Sequence, residues 1–222
     1  MARNSHFARA FTLIELLVVI VVIAILISFA YPVYTGILER GKATKDMNNL
    51  RQIGVATQAY MNDNDGVIFS TAVGAGSWMA QLHPKYLASW SIFRSPFDNA
   101  IGARAAPEDN INSAVSYGLN GNGIIGTIAN KISNPSVFVL FAPAQASTTT
   151  VTFQGAAGTA APGVTVFKAL SSPGGTAVGG THSSRKRINA LCADLHSESM
   201  LWSVFTNNPA GSDPSAAQRW TP

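Results

Sequence analysis

Among the side chains able to do chemistry, Glu15 is set apart by its surroundings. From Phe11 to Tyr34, roughly 24 residues, it is the only charge, and as a helix that run would extend about 36 Å, enough to cross a hydrocarbon core of about 30 Å. A carboxylate at membrane depth costs about 2.5–3.5 kcal/mol on insertion scales, so such a residue has a partner and a task. No Lys or Arg lies one turn away; Arg9 and the chain start are the nearest positive groups, and Lys42 is far beyond. A cut just before Phe11 would create an α-amine four residues from Glu15. That amine, on the same chain or on a neighbouring copy, would supply the missing opposite charge.

The other candidates are weaker. His182, Asp194 and His196 are metal-ligand types, but they share no fixed ligand spacing, and His is a poor choice for calcium, which prefers oxygen. They read as turn and hairpin hydrogen-bonding residues, and no metal is expected. Arg185-Lys186-Arg187 reads as a solvated basic loop, and the net charge of +4 is too small to argue for nucleic acid. Asn62-Asp63-Asn64-Asp65-Gly66 looks superficially like the start of a calcium loop. Met61 and Ala72 then occupy the first and last ligand positions, so it is read as a helix end with Gly66 at positive φ. No GxSxG, Walker loop, HExxH or CxxC occurs and no acid pair is placed for catalysis, which argues against an enzyme and against a cofactor.

The elements that must position Glu15 follow from hydropathy and period. After Pro32, Met47, Leu50, Ile53, Gly54, Thr57, Tyr60 and Met61 recur at spacings of three and four, with Lys45, Asp46, Asn48, Asn49, Arg51 and Gln52 beside them. One helix is therefore expected to about Asn62, half membrane segment and half domain spine. Beyond it, Trp78–Leu82 reads as a short helix stopped near Pro84. Strands are expected at Val115–Leu119, Ser136–Ala142, Val151–Phe153 and Val164–Leu170, and a hairpin from Arg187–Ala193 and His196–Val204. The single cysteine, Cys192, has no disulfide partner in the chain and reads as a small buried hydrophobe. The chain of 222 residues thus divides into residues 1–10, a membrane helix 11–34, an amphipathic helix 35–62 and a globular part 63–222. An ordinary signal peptide, cut after Ser28-Phe29-Ala30, and a plain signal anchor compete with this reading. The length of the apolar run and the presence of Glu15 disfavour the first. Basic residues flank the run on both sides, so charge alone does not orient it.

Ala10-Phe11-Thr12-Leu13-Ile14-Glu15 resembles the processing site of the type IV pilin and type II secretion pseudopilin superfamily. The resemblance implies that a prepilin peptidase cuts between Ala10 and Phe11, that Phe11 is N-methylated, and that Glu15, fifth in the mature chain, guides assembly of a helical filament. Ala10 departs from the usual Gly. Removing Arg3 and Arg9 with the leader leaves 13 basic against 11 acidic side chains, a net +2. Pro32 resembles the family's proline that loosens or kinks the membrane helix. Thr181-His182 and Ile188-Asn189-Ala190-Leu191-Cys192-Ala193-Asp194-Leu195-His196 are similar to the H…N-V-L-F-A-D-G-H ending of pilin-like proteins abundant in planctomycetes and verrucomicrobia, with Leu195 in place of the turn Gly. Ser95 for a common Cys and Pro143 for a frequent Asp are further departures.

The fold implied is α+β: a long N-terminal helix packed on a small antiparallel β-sheet domain. The function implied is a structural filament subunit, its partners being other copies of itself, the peptidase, an inner-membrane platform with its ATPase, and lipid before assembly. The implied location is the bacterial inner membrane, single-pass, with the N-terminus cytoplasmic and the C-terminal domain periplasmic. The alternative is a membrane-tethered binding or adhesion module that never polymerises.

Overall fold

A computed structural model describes residues 12–69, 78–97, 116–120, 124–143, 152–153, 180–205 and 218–219. The chain divides into two units, Met1–Arg40 and Gly41–Pro222. One helix, α1 (Leu13–Asp63), runs for 51 residues through the end of the first and the start of the second. Its expected continuity past Pro32 is observed. Pro32 has no N–H to donate to the carbonyl of Ser28, and the helix continues through it. Ser28 and Thr35 turn their hydroxyls back onto the carbonyls of Ile25 and Pro32.

In the first unit, every large apolar side chain from Leu13 to Leu38 is 47–88% exposed. The segment is apolar all round, which is the pattern of a helix that needs lipid or other helices about it. Burying those side chains would be worth roughly 30 kcal/mol at 1.5 kcal/mol or more each, too much for this surface to remain in water. Among the described residues this is the one helix long and apolar enough to cross a membrane.

In the second unit, α1 ends in the turn expected there, with Asp65 and Gly66 at positive φ and the Gly66 N–H donating to the Met61 carbonyl. The remaining elements are β1 (Val67–Ile68), α2 (Trp78–Leu82), β2 (Tyr117–Asn120), β3 (Thr127–Ile128), β4 (Val139–Pro143), β5 (Thr152–Phe153), β6 (Arg187–Cys192), β7 (Ser197–Leu201) and α3 (Trp202–Phe205). Single 3-10 turns stand at Trp90–Phe93 and Ala129–Lys131. Five strands form one sheet in the order β5-β2-β4-β6-β7, and β1 pairs with β3 in a separate two-stranded ribbon. The main sheet is antiparallel except at one edge, where β2 and β5 run parallel.

The sheet has two buried faces. Leu119, Phe141 and Leu191 join Leu50, Ile53 and Tyr60 of α1 and Trp78, Trp90 and Phe93 in the larger core. Val139, Ile188, Ala190, Cys192, Met200 and Phe205 form a smaller core on the opposite face. The register of β4 against β6 slips between Val139 and Phe141. That bulge turns the consecutive Leu140 and Phe141 to the same, helix-side core. Helix and sheet pack closely at Gly54, where an added Cβ would stand 3.2 Å from both δ carbons of Leu191.

Several expectations shift. The last strand stops at Leu201 and the chain turns into α3, so Val204 is helical. The short pairing of β1 with β3 lies below the length at which alternation is visible. The strand expected at 164–170 lies outside the described residues. Leu195, which stands where the resemblance places a Gly, adopts the left-handed conformation with φ 69°, one that a Leu side chain disfavours. The Leu195 N–H donates to the Cys192 carbonyl and the Cys192 N–H to that of His196, closing a three-residue hairpin loop with its last residue left-handed. The side chain is half-buried against the larger core, which offsets part of the conformational cost.

Candidate functional site

The first candidate is the start of α1. Thr12 precedes the first helical residue and Glu15 stands three positions on. The Thr12 N–H and hydroxyl donate to Glu15 Oε2 at 2.9 and 2.8 Å, and the Glu15 N–H donates to Thr12 Oγ1 at 3.3 Å. This is a reciprocal capping box, which satisfies N–H groups that the first helical turn leaves without internal partners. It also holds the carboxylate at the positive end of the helix dipole. Glu15 therefore has a local task besides any long-range one. The sequence reading passed over Thr12, although the Thr-x-x-Glu spacing before an apolar run is the signature of this cap. Ala10 and Phe11 lie outside the described residues.

The second candidate is polar and buried. Asp46 is wholly inaccessible beneath the sheet. Its Oδ1 accepts from Ser95 Oγ at 2.5 Å and Tyr117 Oη at 2.7 Å, and its Oδ2 from Asn189 Nδ2 at 2.9 Å. Asn189 Nδ2 also donates to the Ala43 carbonyl at 3.0 Å. Asn49 donates to the Arg94 carbonyl and to Tyr117 Oη. One carboxylate thus ties α1 to the segment before Pro96, to β2 and to β6. Burial raises the Asp46 pKa above the ordinary range, the three donors working against that rise, and burial beside Asp46 raises that of Tyr117. The sequence reading set Asp46 and Asn49 beside the apolar stripe; both are buried in it. The phase was visible, because Asp46, Leu50, Ile53, Thr57 and Tyr60 are spaced by fours and threes, but the residue types concealed it.

The remaining sequence candidates are placed as follows. His182 is buried, stacked on Phe97 with ring centroids 5.7 Å apart. Its Nδ1 lies 3.0 Å from Thr181 Oγ1 and its Nε2 3.0 Å from Ser199 Oγ. Asp194 and His196 meet each other at the hairpin turn, with Asp194 Oδ1 2.5 Å from His196 Nδ1. The structure thus joins Asp194 to His196 and engages both ring nitrogens of His182 elsewhere. A different trio converges: one ligand atom each from Cys192, His196 and Glu198 lies within 4.8 Å of the other two. Cys192 is fully buried, as expected. In the basic run, Arg187 bonds the Ser199 hydroxyl and carbonyl across the hairpin, while Arg185 and Lys186 are exposed. Asp63, read only as part of a turn, accepts from Lys85 Nζ at 2.8 Å and Tyr86 Oη at 2.9 Å. These bonds hold the Asp63 pKa below and the Lys85 pKa above their usual ranges.

Comparison with known proteins bears on the first candidate. Residues 6–31 match the family model described as the prokaryotic N-terminal methylation motif, a segment that runs through Glu15 into the apolar helix. No curated protein and no solved structure matches the chain.

Proposed function

Since this chain carries the prepilin-type methylation signal of type IV pilins and pseudopilins, we propose that it is a structural subunit of a pilus-like or pseudopilus filament. The observation that carries this reading is the coincidence, on one segment, of that signal, a helix apolar on all sides, and a lone carboxylate held in its first turn. Prepilin peptidase cuts between Ala10 and Phe11 and Phe11 is methylated. The segment 11–34 anchors the subunit in the inner membrane, with residues 63–222 on the periplasmic side. On assembly, apolar helices exchange lipid for one another. Glu15 then exchanges its bonds to Thr12 for the ammonium of a neighbouring Phe11. Pairing neutralises both charges in the apolar bundle and sets the stagger between subunits. Pro32 gives the helix a point at which to bend. The working partners are other copies of the chain, the peptidase, and the platform and ATPase that drive assembly; the chain acts as no enzyme.

Two measurements test this. Mass spectrometry of the membrane fraction should give a mature chain beginning at methylated Phe11; an intact Met1 indicates a plain anchor and a start at Tyr31 a cleaved signal peptide. Glu15→Ala should leave insertion and cleavage intact and reduce filaments seen by electron microscopy at least tenfold. Wild-type filament numbers from that variant refute the assembly role and favour a tethered module.

A further inference from the structure

We propose that Cys192, His196 and Glu198 form a binding site for a single borderline-soft divalent cation, of which zinc fits best. The three residues occupy the closed end of the β6–β7 hairpin. Cys192 and His196 face each other across the turn, joined by the Cys192 N–H to the His196 carbonyl at 2.9 Å, and Glu198 lies two positions beyond His196 on the same face. Glu198 Oε1 stands 3.9 Å from His196 Nε2 and 4.0 Å from Cys192 Sγ. With ligand atoms within 4.8 Å of one another, a cation could stand about 2.5 Å from all three, against about 2.0–2.3 Å for zinc bonds to N, O and S, so a few tenths of an ångström of side-chain movement closes the shell.

The support for His196 is independent of that convergence. Its Nδ1 is held at 2.5 Å by Asp194 Oδ1, which also accepts the His196 backbone N–H at 3.1 Å. A proton on Nδ1 leaves Nε2 as the lone-pair nitrogen, and Nε2 is the atom near Glu198. A carboxylate behind a histidine is the arrangement that orients imidazole ligands on metals and raises their basicity. Thiol, imidazole and carboxylate together suit zinc, whereas calcium or magnesium would ask for oxygen throughout.

Binding exchanges the Cys192 thiol proton, released to solvent, for the metal–sulfur bond. The thiolate, Glu198 and Asp194 then present three negative charges, which the dication and Arg219 balance. His196 and Glu198 are exposed, which gives the ion a way in and leaves a fourth position for water.

The test is titration of the full chain, in detergent micelles, with cobalt(II) alone and then with zinc. The expected result is a thiolate-to-cobalt charge-transfer band that saturates at one equivalent and is bleached by zinc. Cys192→Ser should abolish the band. His196→Gln and Glu198→Gln, which alter exposed side chains and should leave the circular dichroism unchanged, should each weaken binding at least tenfold. Asp194→Asn should weaken it by about 10–100-fold without loss of the band. No charge-transfer band with the folded wild type, or saturable binding that survives both His196→Gln and Glu198→Gln, overturns the proposal.

Discussion

Replacing Asp46 by Ala should be among the costliest single changes in the globular unit, and the structure sets the size. Ser95 Oγ and Tyr117 Oη each lose the acceptor of their one hydrogen, and Asn189 Nδ2 loses one of two acceptors while keeping the Ala43 carbonyl. Each buried donor left unsatisfied costs about 1–3 kcal/mol. The carboxylate's own burial penalty, expressed in its raised pKa, disappears with it and brings the net loss to the low end, about 3 kcal/mol. Trp78 and Trp90, both buried, report unfolding by fluorescence in urea with the full chain in micelles. With a slope of about 2 kcal/mol/M, the midpoint should fall by about 1.5 M. Asp46→Asn keeps one acceptor oxygen and should cost about half as much. The pH dependence has a definite sign. The folded carboxyl binds its proton more tightly than the unfolded one, whose pKa is the ordinary 3.8. The associated stability is full below that value and is lost as pH rises through the folded pKa. Lowering the pH from neutral toward about 4 should therefore raise the stability of the wild type relative to Asp46→Asn. An unchanged midpoint for Asp46→Ala, or a wild-type advantage that shrinks on acidification, would refute the reasoning.

Two further substitutions test the packing. At Gly180 an added Cβ would stand 2.1 Å from the Arg187 carbonyl oxygen, a backbone atom that cannot turn aside. Gly180→Ala should destabilise by about 1–3 kcal/mol and loosen the His182 bridge to Arg187, read as faster amide exchange at Thr181 and His182. Phe141 is fully buried between Trp78 and Phe69, at centroid distances of 4.7 and 6.1 Å. Phe141→Ala should cost about 3–5 kcal/mol in the same urea titration, and an effect below about 1 kcal/mol would mean that the core collapses around the gap.

Much of the architecture followed from local pattern. Continuous hydropathy placed α1, and its observed end at Asp63 lies one residue from the expected one, because a run of polar residues closing on Gly66 both stops a helix and permits positive φ. Apolar clustering around Asp194-Leu195 located the hairpin, and Trp78–Leu82 is helical as expected. The turn at Leu195 shows where local reasoning gives out. Preference alone disfavours a left-handed leucine, yet hydrogen bonding within the hairpin and contact with the larger core hold it there. The pairing of β1 with β3 and of β2 with β5 joins segments distant in the chain and too short to carry a period of their own.

The same division holds for the sites. Residue type and spacing alone determined the apolar helix and singled out Glu15, because a charge within a long apolar run is exceptional in whatever fold it occurs. Thr12 was within reach of the same reasoning, since a helix cap is a contact between residues three apart. Only the tertiary structure decided that Asp46 is a buried junction, because its partners Ser95, Tyr117 and Asn189 lie 49, 71 and 143 positions away. Only the hairpin register decided that His196 faces Cys192 and Glu198 while His182 turns to Ser199, for one step of register sends a side chain to the opposite face of a sheet.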